Sequence, residues 1–320
     1  MIETPMQTFL NQLQDALRAK PYNETTEQVY IRWVRRYIIF HNHKHPQDMG
    51  EPEVEAFLNH LATVEKVSTS TQNQALSALS FTYKYLVKRP LSKSLQTLRV
   101  KPPKSLPVVL TASEIKAILN QMAGPPKLVA QLLYGSGLRL REGLRLRVKD
   151  LDFEQERIVV WDEKGNHDRF TLLARNLVEP LQAHLINVKY QHEKDLLKGN
   201  VQVYLPEQLE QKYPKVQRDW DWQYVFPGSR CRKFQKGFLR HHLDETVIQK
   251  ALKIAVKQAG ITKDANCHTL RHTFAAQILQ NGYDIRTVQE LLGHKNIKTT
   301  MVYTHIVDKA CLGVRSPLDL

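Results

Sequence analysis

The sequence predicts a mainly α-helical protein with a small antiparallel β-sheet, arranged as two domains. Apolar residues recur at helical spacing through the first 88 residues, and three short strand-like runs follow one another between residues 150 and 173. A proline-containing segment separates the two regions, and 320 residues suffice for two domains.

Residues 1–88 are predicted to form an N-terminal domain of four helices. The first covers residues 6–17, the second includes residues 29–40, the third opens at Pro52 and Glu53, and the fourth spans residues 68–88. Three of them align apolar side chains on one face, and the aromatic residues are expected in the core. The faces consist of Met6, Phe9, Leu10, Leu13 and Leu17; of Val29, Trp33, Tyr37 and Phe40; and of Leu76, Leu79, Tyr83 and Leu86.

Residues 89–110 are predicted to be an extended, basic linker. Prolines at 90, 102, 103 and 107 disfavour regular structure, and residues 66–113 hold eight Lys or Arg and no carboxylate. A cationic tether between two basic domains is typical of a two-domain, C-shaped clamp that closes around a DNA duplex. The alternative is a solvated linker that happens to be basic.

Residues 111–320 are predicted to form the second domain. Thr111 and Glu114 make a capping box at the start of its first helix. A second, apolar helix contains Leu128, Leu132 and Leu133. Residues 148–153, 157–161 and 169–173 are typical of short strands, and a long helix follows over residues 174–198.

The charge balance indicates a polyanionic partner. The chain has 46 Lys and Arg against 32 Asp and Glu, a net charge of +14, and 42% hydrophobic residues, which is enough for ordinary cores. We expect no membrane insertion, because the sequence has no apolar run of membrane-spanning length and no signal pattern at its start. Three cysteines do not suggest a disulfide framework, which favours a cytoplasmic location.

The region most indicative of chemistry is near the C-terminus, where His268, Arg271, His294 and Tyr303 occur at ordered spacings. His268 and Arg271 share one face of a helix, and Gly293 is typical of a helix end. Arginine can bind the non-bridging oxygens of a phosphodiester, while histidine moves protons near neutral pH. The set therefore predicts attack on a phosphodiester by a phenolic oxygen.

A second arginine candidate follows the apolar helix. Arg139 comes directly after a glycine turn at residue 137, and Glu142 stands at i+3, where its carboxylate can orient the guanidinium. Arg141 is an alternative phosphate ligand. The other interpretation of these closely spaced arginines is a solvated basic helix face.

In combination, these residues resemble the tyrosine recombinase (lambda integrase-like) family. The pattern is supplied in order by Gly137-Leu-Arg139-Leu-Arg-Glu142, by Lys164-Gly165, by His268-Thr-Leu-Arg271, by Leu291-Leu-Gly-His294 and by Tyr303. The resemblance implies that Lys164, at the tip of a hairpin, is also catalytic. It further implies a homotetramer on two DNA sites.

The expected mechanism needs neither a metal nor another cofactor. Arg139 and Arg271 bind the phosphate with His294 as a third donor, Tyr303 attacks, and His268 accepts the phenolic proton. Lys164 protonates the departing 5′-hydroxyl. The product is a 3′-phosphotyrosyl linkage, which a 5′-hydroxyl from the partner DNA then attacks.

A narrower resemblance is to the integron integrases. It rests on the segments 219–245 and 282–305, on the ending GVRSPLDL, and on an insert over about 190–240. This resemblance implies exchange of gene cassettes at duplex sites and at sites folded from one DNA strand, whose hairpins carry extrahelical bases. It also implies a bacterial, nucleoid-associated protein with a C-terminal tail over residues 305–320.

The insert interleaves aromatic and basic residues, which suits stacking of unpaired bases beside a phosphate track. Residues 224–226 resemble a buried strand, and the tryptophans could equally belong to the core. Adjacent histidines are weak support for a metal site, and no residue at ligand spacing completes one, so we expect no metal. The predicted DNA-binding residues of the insert are Trp220, Trp222, Arg240, His241 and His242.

Two other classes of protein remain open at this point. A non-catalytic DNA-binding protein could keep the same fold, although binding alone needs no nucleophile. A relaxing topoisomerase would use the same chemistry as a monomer, but the insert and the tail favour a recombinase.

Overall fold

Two units make up the chain, Met1–Ser105 and Leu106–Leu320. The computed structural model describes residues 5–20, 22, 24–92, 107–161, 168–199, 201–205, 216–234 and 237–305. The boundary between the units falls within the linker predicted over residues 89–110, of which residues 93–106 lie outside the described residues.

The first unit contains the four predicted helices around one apolar core. Trp33, Tyr37 and Tyr83 are buried there, and the hydroxyl groups of the two tyrosines form a hydrogen bond of 2.8 Å. Phe40 was expected in the core but is partly exposed, because it lies at the edge of the buried face of its helix, which is centred on Trp33, Val34, Tyr37 and Ile38. The helices are α1 (Pro5–Arg18), α2 (Glu24–Phe40), α3 (Glu51–Thr63) and α4 (Thr69–Tyr85).

Eight helices of the second unit are described. The capping box predicted at the start of α5 is confirmed, since the Thr111 hydroxyl accepts from the Glu114 N–H and the Glu114 carboxylate accepts from the Thr111 N–H. These helices are α5 (Ala112–Asn120), α6 (Gly124–Gly135), α7 (Leu140–Arg145), α8 (Val178–Leu197), α9 (Glu245–Gln258), α10 (Cys267–Gln280), α11 (Ile285–Leu292) and α12 (Ile297–Met301).

The predicted antiparallel sheet is present and has three strands in sequential order. They are β1 (Leu151–Asp152), β2 (Arg157–Val160) and β3 (Arg169–Leu172). Residues 148–150, predicted as strand, instead form a 3-10 turn. The Asp150 carboxylate holds this turn by accepting hydrogen bonds from the Arg147 N–H and the Trp161 indole.

A second three-stranded sheet, within the insert, was not predicted. It contains β4 (Val201–Val203), β5 (Pro227–Phe234) and β6 (Gly237–His242), with β6 between the other two. β4 is parallel to β6 and β5 is antiparallel to it. Residues 224–226 are buried as predicted but lie outside these strands, with one bridge between Tyr224 and Arg147.

Arg240, predicted to contact DNA, is part of this interior, so that assignment is corrected. Its guanidinium is 8% exposed, donates two hydrogen bonds to the buried Asp195 carboxylate on α8, and donates a third to the Gly228 carbonyl. Because those donors are used inside the fold, they are not available to a phosphate. The pair instead ties the second sheet to α8.

We expect Arg240→Ala to lower the free energy of unfolding by about 3–5 kcal/mol, because it leaves the Asp195 carboxylate buried and uncompensated. Arg175→Ala is the matched control: Arg175 also pairs with a carboxylate, that of Glu156, but is 85% exposed. Its loss should cost less than about 1 kcal/mol. Urea denaturation of both variants measures the difference, and equal stabilities would contradict a structural role for Arg240.

Candidate active site

A glycine turn places Arg139 at the start of α7. Gly137 has φ of 64°, and a Cβ there would lie 2.5 Å from a ring carbon of Phe274, so this position requires glycine. The Arg139 N–H donates to one oxygen of Glu142 at 2.7 Å, and its Nη1 donates to the other at 2.6 Å. The predicted orientation of Arg139 by Glu142 is therefore confirmed.

The Glu142 carboxylate is shared by three arginines. Arg169 donates to both of its oxygens at 3.0 and 2.7 Å, and Nη1 of Arg271 lies 3.5 Å from Oε2. Burial raises the pKa of Glu142, but the hydrogen bonds and charge of Arg169, the Arg139 N–H and the charge of Arg271 outweigh it and lower the pKa to about 2. Three cations around one carboxylate leave a positive excess, which favours an anionic ligand.

Arg169 is a member of this cluster that the sequence did not single out. It opens β3, is 15% exposed, and its Nε donates to the Leu291 carbonyl at 3.0 Å. Its side chain also passes Gly293, where a Cβ would lie 2.7 Å from Cδ of Arg169. No local pattern indicates this role, because both partners are distant in sequence.

Arg271 lies on α10 with its guanidinium almost fully buried. Nη1 donates to the Gly137 carbonyl and Nη2 to the Leu292 carbonyl, each at 2.6 Å. Burial lowers the pKa of Arg271 to about 9, and the charge of Arg139 acts in the same direction. Arg271 therefore joins the glycine turn to the end of α11, beside Arg139, whose own side chain is 42% exposed.

His294 follows Gly293, which ends α11 in the left-handed conformation with φ of 64°, as the sequence predicted. Its Nε2 lies 3.2 Å from Nη2 of Arg271, and its Nδ1 lies 2.9 Å from the Thr300 hydroxyl. Burial and the neighbouring arginines lower the pKa of His294 to about 4. Since arginine can only donate, the neutral ring accepts at Nε2 and carries its proton on Nδ1.

Tyr303 is buried in the 3-10 turn Val302–His305, directly after α12. Its hydroxyl lies 2.7 Å from Nδ1 of His272, a residue that the sequence interpretation passed over. Burial raises the pKa of the Tyr303 phenol, and the charges of Arg271 and Arg139 act against that rise. The signal for His272 was available: it stands four residues after His268, on the same helix face.

His268 is exposed at the start of α10 and was predicted to accept the phenolic proton. Its ring lies 5.1 Å from that of His272, and the partial loss of water around the ring, together with the charges of Arg271 and Arg139, lowers its pKa. The hydrogen bond of the Tyr303 hydroxyl goes to His272 instead. The phenol thus has a hydrogen-bond partner other than the predicted acceptor, and His268 lies beside the arginine cluster.

Lys164 lies outside the described residues, as do residues 162–167 of the predicted hairpin turn. The same holds for residues 306–320, which include most of the predicted tail.

In the insert, Trp222, His241 and His242 belong to one group of aromatic and cationic side chains in contact around Tyr224. Lys149 lies over the Trp222 ring at 3.4 Å, and Arg147 lies over the Tyr224 ring at 4.5 Å and near Trp222 at 5.7 Å. Both histidine rings contact Tyr224, and burial lowers the pKa of His241 to about 4.

Trp220 has a different environment from Trp222. It is half-buried, packs against the core of the second unit, and its ring lies 5.9 Å from that of His192 on α8. The sequence left open whether each tryptophan faces the core or DNA. In the structure, Trp220 has the stronger link to the core, whereas Trp222 lies among cations.

Among the described residues, no group of three His, Cys, Asp or Glu is arranged to hold a metal ion. Within the same part of the chain, no helix is long and apolar enough to cross a membrane.

The arrangement combines a phenolic nucleophile, a neutral imidazole in contact with it, and a cluster of cations. Such a set can stabilise the negative charge that develops on a phosphate while the phenol loses its proton.

Comparisons with known proteins agree with this chemistry. The model of the phage integrase family matches residues 108–310, and that of the phage integrase N-terminal SAM-like domain matches residues 9–93. The chain is 46% identical over 312 residues to proteins named integrase/recombinase from Escherichia coli and Pseudomonas aeruginosa, covering 97% of this chain and 93% of theirs.

More distant similarities extend over much of the chain. The tyrosine recombinase XerD of Agrobacterium fabrum is 31% identical, with 81% of this chain and 76% of that protein covered. The fold resembles the crystal structure of the site-specific recombinase XerH bound to its palindromic difH substrate, with a TM-score of 0.62, 20% identity, and coverage of 94% of this chain and 82% of that one. The chain thus belongs to the phage integrase family of tyrosine recombinases, enzymes that cleave DNA strands and rejoin them.

Proposed function

We propose that the protein is an integron integrase-like recombinase, which captures and exchanges gene cassettes. Its catalytic activity is supported above all by the position of the Tyr303 hydroxyl. This hydroxyl contacts the His272 imidazole and lies near the arginines that surround Glu142. The insert supports the narrower assignment, because its second sheet supports a cluster of aromatic, histidine and basic side chains outside the catalytic residues.

Cleavage begins when the scissile phosphate enters beside Arg139, the most exposed arginine of the cluster. Arg139 and Arg271 neutralise its non-bridging oxygens, with His268 and His294 at the edge of the same cluster. For His294 to donate from Nε2, the ring proton must move from Nδ1 to Nε2, with the Thr300 hydroxyl then donating to Nδ1, and Arg271, which donates to Nε2 in this structure, must turn to the phosphate. The cations therefore exchange protein acceptors for phosphate oxygens.

Tyr303 then attacks phosphorus while its hydroxyl proton passes to a neighbouring imidazole, and the 5′-oxygen leaves with a proton from Lys164. The product is a 3′-phosphotyrosyl linkage that conserves the energy of the broken bond, so rejoining requires only a 5′-hydroxyl. When that hydroxyl comes from the partner DNA, the strands are exchanged. Two duplexes contain four strands, and each protomer supplies one nucleophile. Exchange of all four strands therefore requires four protomers, and a homotetramer on two sites is the proposed assembly.

The insert is proposed to bind folded, single-stranded cassette sites through their extrahelical bases. Aromatic and imidazole rings supply flat surfaces for stacking, and Lys149 and Arg147 bring positive charge to them. Trp222, His241 and His242 are the main candidates, and Trp220 is a weaker one because it packs on the core. The proposed location is the bacterial cytoplasm, with the protein associated with the nucleoid.

We expect Tyr303→Phe to abolish covalent attachment to DNA and recombination, because only the phenolic oxygen is removed. DNA affinity should change little, since affinity comes chiefly from phosphate contacts. A denaturing gel with a nicked suicide substrate detects the adduct, and a two-site assay detects recombination. An adduct formed by Tyr303→Phe would show that another residue is the nucleophile, and absence of recombination by the wild-type chain would favour the topoisomerase alternative.

Arg139→Ala should lower the cleavage rate by about a thousandfold, and Arg139→Lys should not restore it because the planar donor pair is lost. Arg141→Ala is the matched control, since Arg141 lies two residues away, is 52% exposed and pairs with Glu245. It should cost less than about tenfold. Single-turnover cleavage rates measure all three variants. An essential Arg141 with a dispensable Arg139 would reverse the assignment.

Trp222→Ala should weaken binding to a hairpin with extrahelical bases by about ten- to a hundredfold, corresponding to one lost stacking interaction. Binding to a fully paired duplex should change little. Trp161→Ala is the control, because Trp161 also lies beside Lys149 but directly follows β2 of the first sheet, outside the insert. Gel-shift affinities on both DNAs, with melting temperatures, give the comparison. Equal losses on both DNAs at an unchanged melting temperature would exclude base stacking by Trp222.

A further inference from the structure

The Tyr303 hydroxyl has a partner that the family motif matched in the sequence does not include. The oxygen lies 2.7 Å from Nδ1 of His272, and the two ring centres are 5.5 Å apart. The motif supplies His268, Arg271 and His294, whereas His272 stands next to it in the chain. His272 is therefore the titratable group in direct contact with the atom proposed to attack.

This contact is held by the fold on both sides. Asn266 caps α10 by accepting from the N–H groups of His268 and Thr269, which fixes the start of the helix that carries His272. The turn that carries Tyr303 packs against the same helix, and Tyr303 is only 3% exposed. Bulk water thus has little access to the Tyr303 side chain, and among the described residues the His272 imidazole is the proton acceptor within hydrogen-bonding distance of its hydroxyl.

The charge state of His272 suits acceptance of a proton. Burial and the charges of His268 and Arg271, both on α10, lower its pKa to about 4. From the neighbouring segments, His294 and Tyr303 face the same space. At neutral pH the ring is therefore uncharged, and its Nδ1 lone pair can accept the phenolic proton.

We propose that His272 is the proton acceptor for Tyr303 in cleavage, and the donor that returns the proton in rejoining. This rests on the proposed function, and it moves the role expected of His268 one helical turn along α10. The O–H bond of Tyr303 breaks as its oxygen bonds to phosphorus, and the proton passes to Nδ1 of His272. The bond between phosphorus and the 5′-oxygen breaks, and that oxygen takes a proton from Lys164.

The imidazolium that forms is close to Arg271, and the phosphate supplies the opposite charge. As the tyrosine oxygen attacks, negative charge grows on the phosphate oxygens, which offsets the new positive charge on His272. Without bound DNA the same charge would be unfavourable, as the low pKa of His272 indicates. Proton transfer is therefore coupled to occupancy of the site by a phosphodiester.

The test compares His272→Ala and His272→Asn with the full-length wild-type chain in single-turnover cleavage of a nicked suicide duplex. Asparagine keeps a hydrogen-bond acceptor near the position of Nδ1 but cannot take a proton. Both variants should cleave at least about a hundredfold more slowly at pH 6.5, the usual contribution of a general base. DNA affinity should remain near that of the wild type.

The pH profile separates proton transfer from simple positioning. The wild-type base is already neutral above its pKa of about 4, so the rate should be nearly constant between pH 6.5 and 8.5. Without the base, cleavage depends on the phenolate fraction, which rises about tenfold per pH unit below the pKa of tyrosine. The defect should therefore shrink as pH rises, whereas a defect caused by misplacement alone would persist.

A substrate with sulfur in place of the 5′-bridging oxygen provides the matched control. Its leaving group needs no proton, so it should rescue Lys164→Ala and leave the defect of His272→Ala. Cleavage by His272→Ala within about threefold of wild type, or full activity of His272→Asn, would overturn the proposal. If the wild-type chain makes no Tyr303-dependent adduct, the proposed function itself fails and this role fails with it.

Discussion

The half-buried carboxylate of Glu142 is the constraint on which the catalytic centre depends. It accepts hydrogen bonds from Arg139 and Arg169 and lies within 3.5 Å of Arg271, so it offsets charges that would otherwise repel one another inside the protein. These arginines come from α7, β3 and α10, which are far apart in the sequence. One ionised carboxyl, with a pKa of about 2, thereby holds three elements around a common site.

In this arrangement the arginines and the histidines have different chemical roles. Burial and neighbouring guanidinium groups lower the pKa of His272 and His294 to about 4, so both imidazoles are neutral at physiological pH. Positive charge is then supplied by the arginines, whose protonation does not vary in this range. The histidines are left free to accept or donate protons and hydrogen bonds, which suits a reaction that is run in both directions.

The insert is joined to this centre through the segment that follows α7. Arg147 accounts for much of that connection: it donates to the carbonyls of Trp222 and Tyr204 and stacks on Tyr224. On the far side, the buried pair of Arg240 and Asp195 attaches the second sheet to α8. The aromatic and histidine rings of the insert are therefore fixed relative to the catalytic residues of the same unit.

The sequence alone determined what depends on neighbours a few residues apart. Helical spacing located the helices, the glycine at 137 marked the turn, and the i+3 relation paired Arg139 with Glu142. Only the tertiary structure decided that Arg169 joins that pair and that His272, rather than His268, contacts Tyr303. It also buried Arg240 against Asp195, 45 positions away in the chain. The physical reason is range: turns and helix faces follow from local geometry, whereas the choice of a partner by a buried charge depends on which distant elements the core brings together.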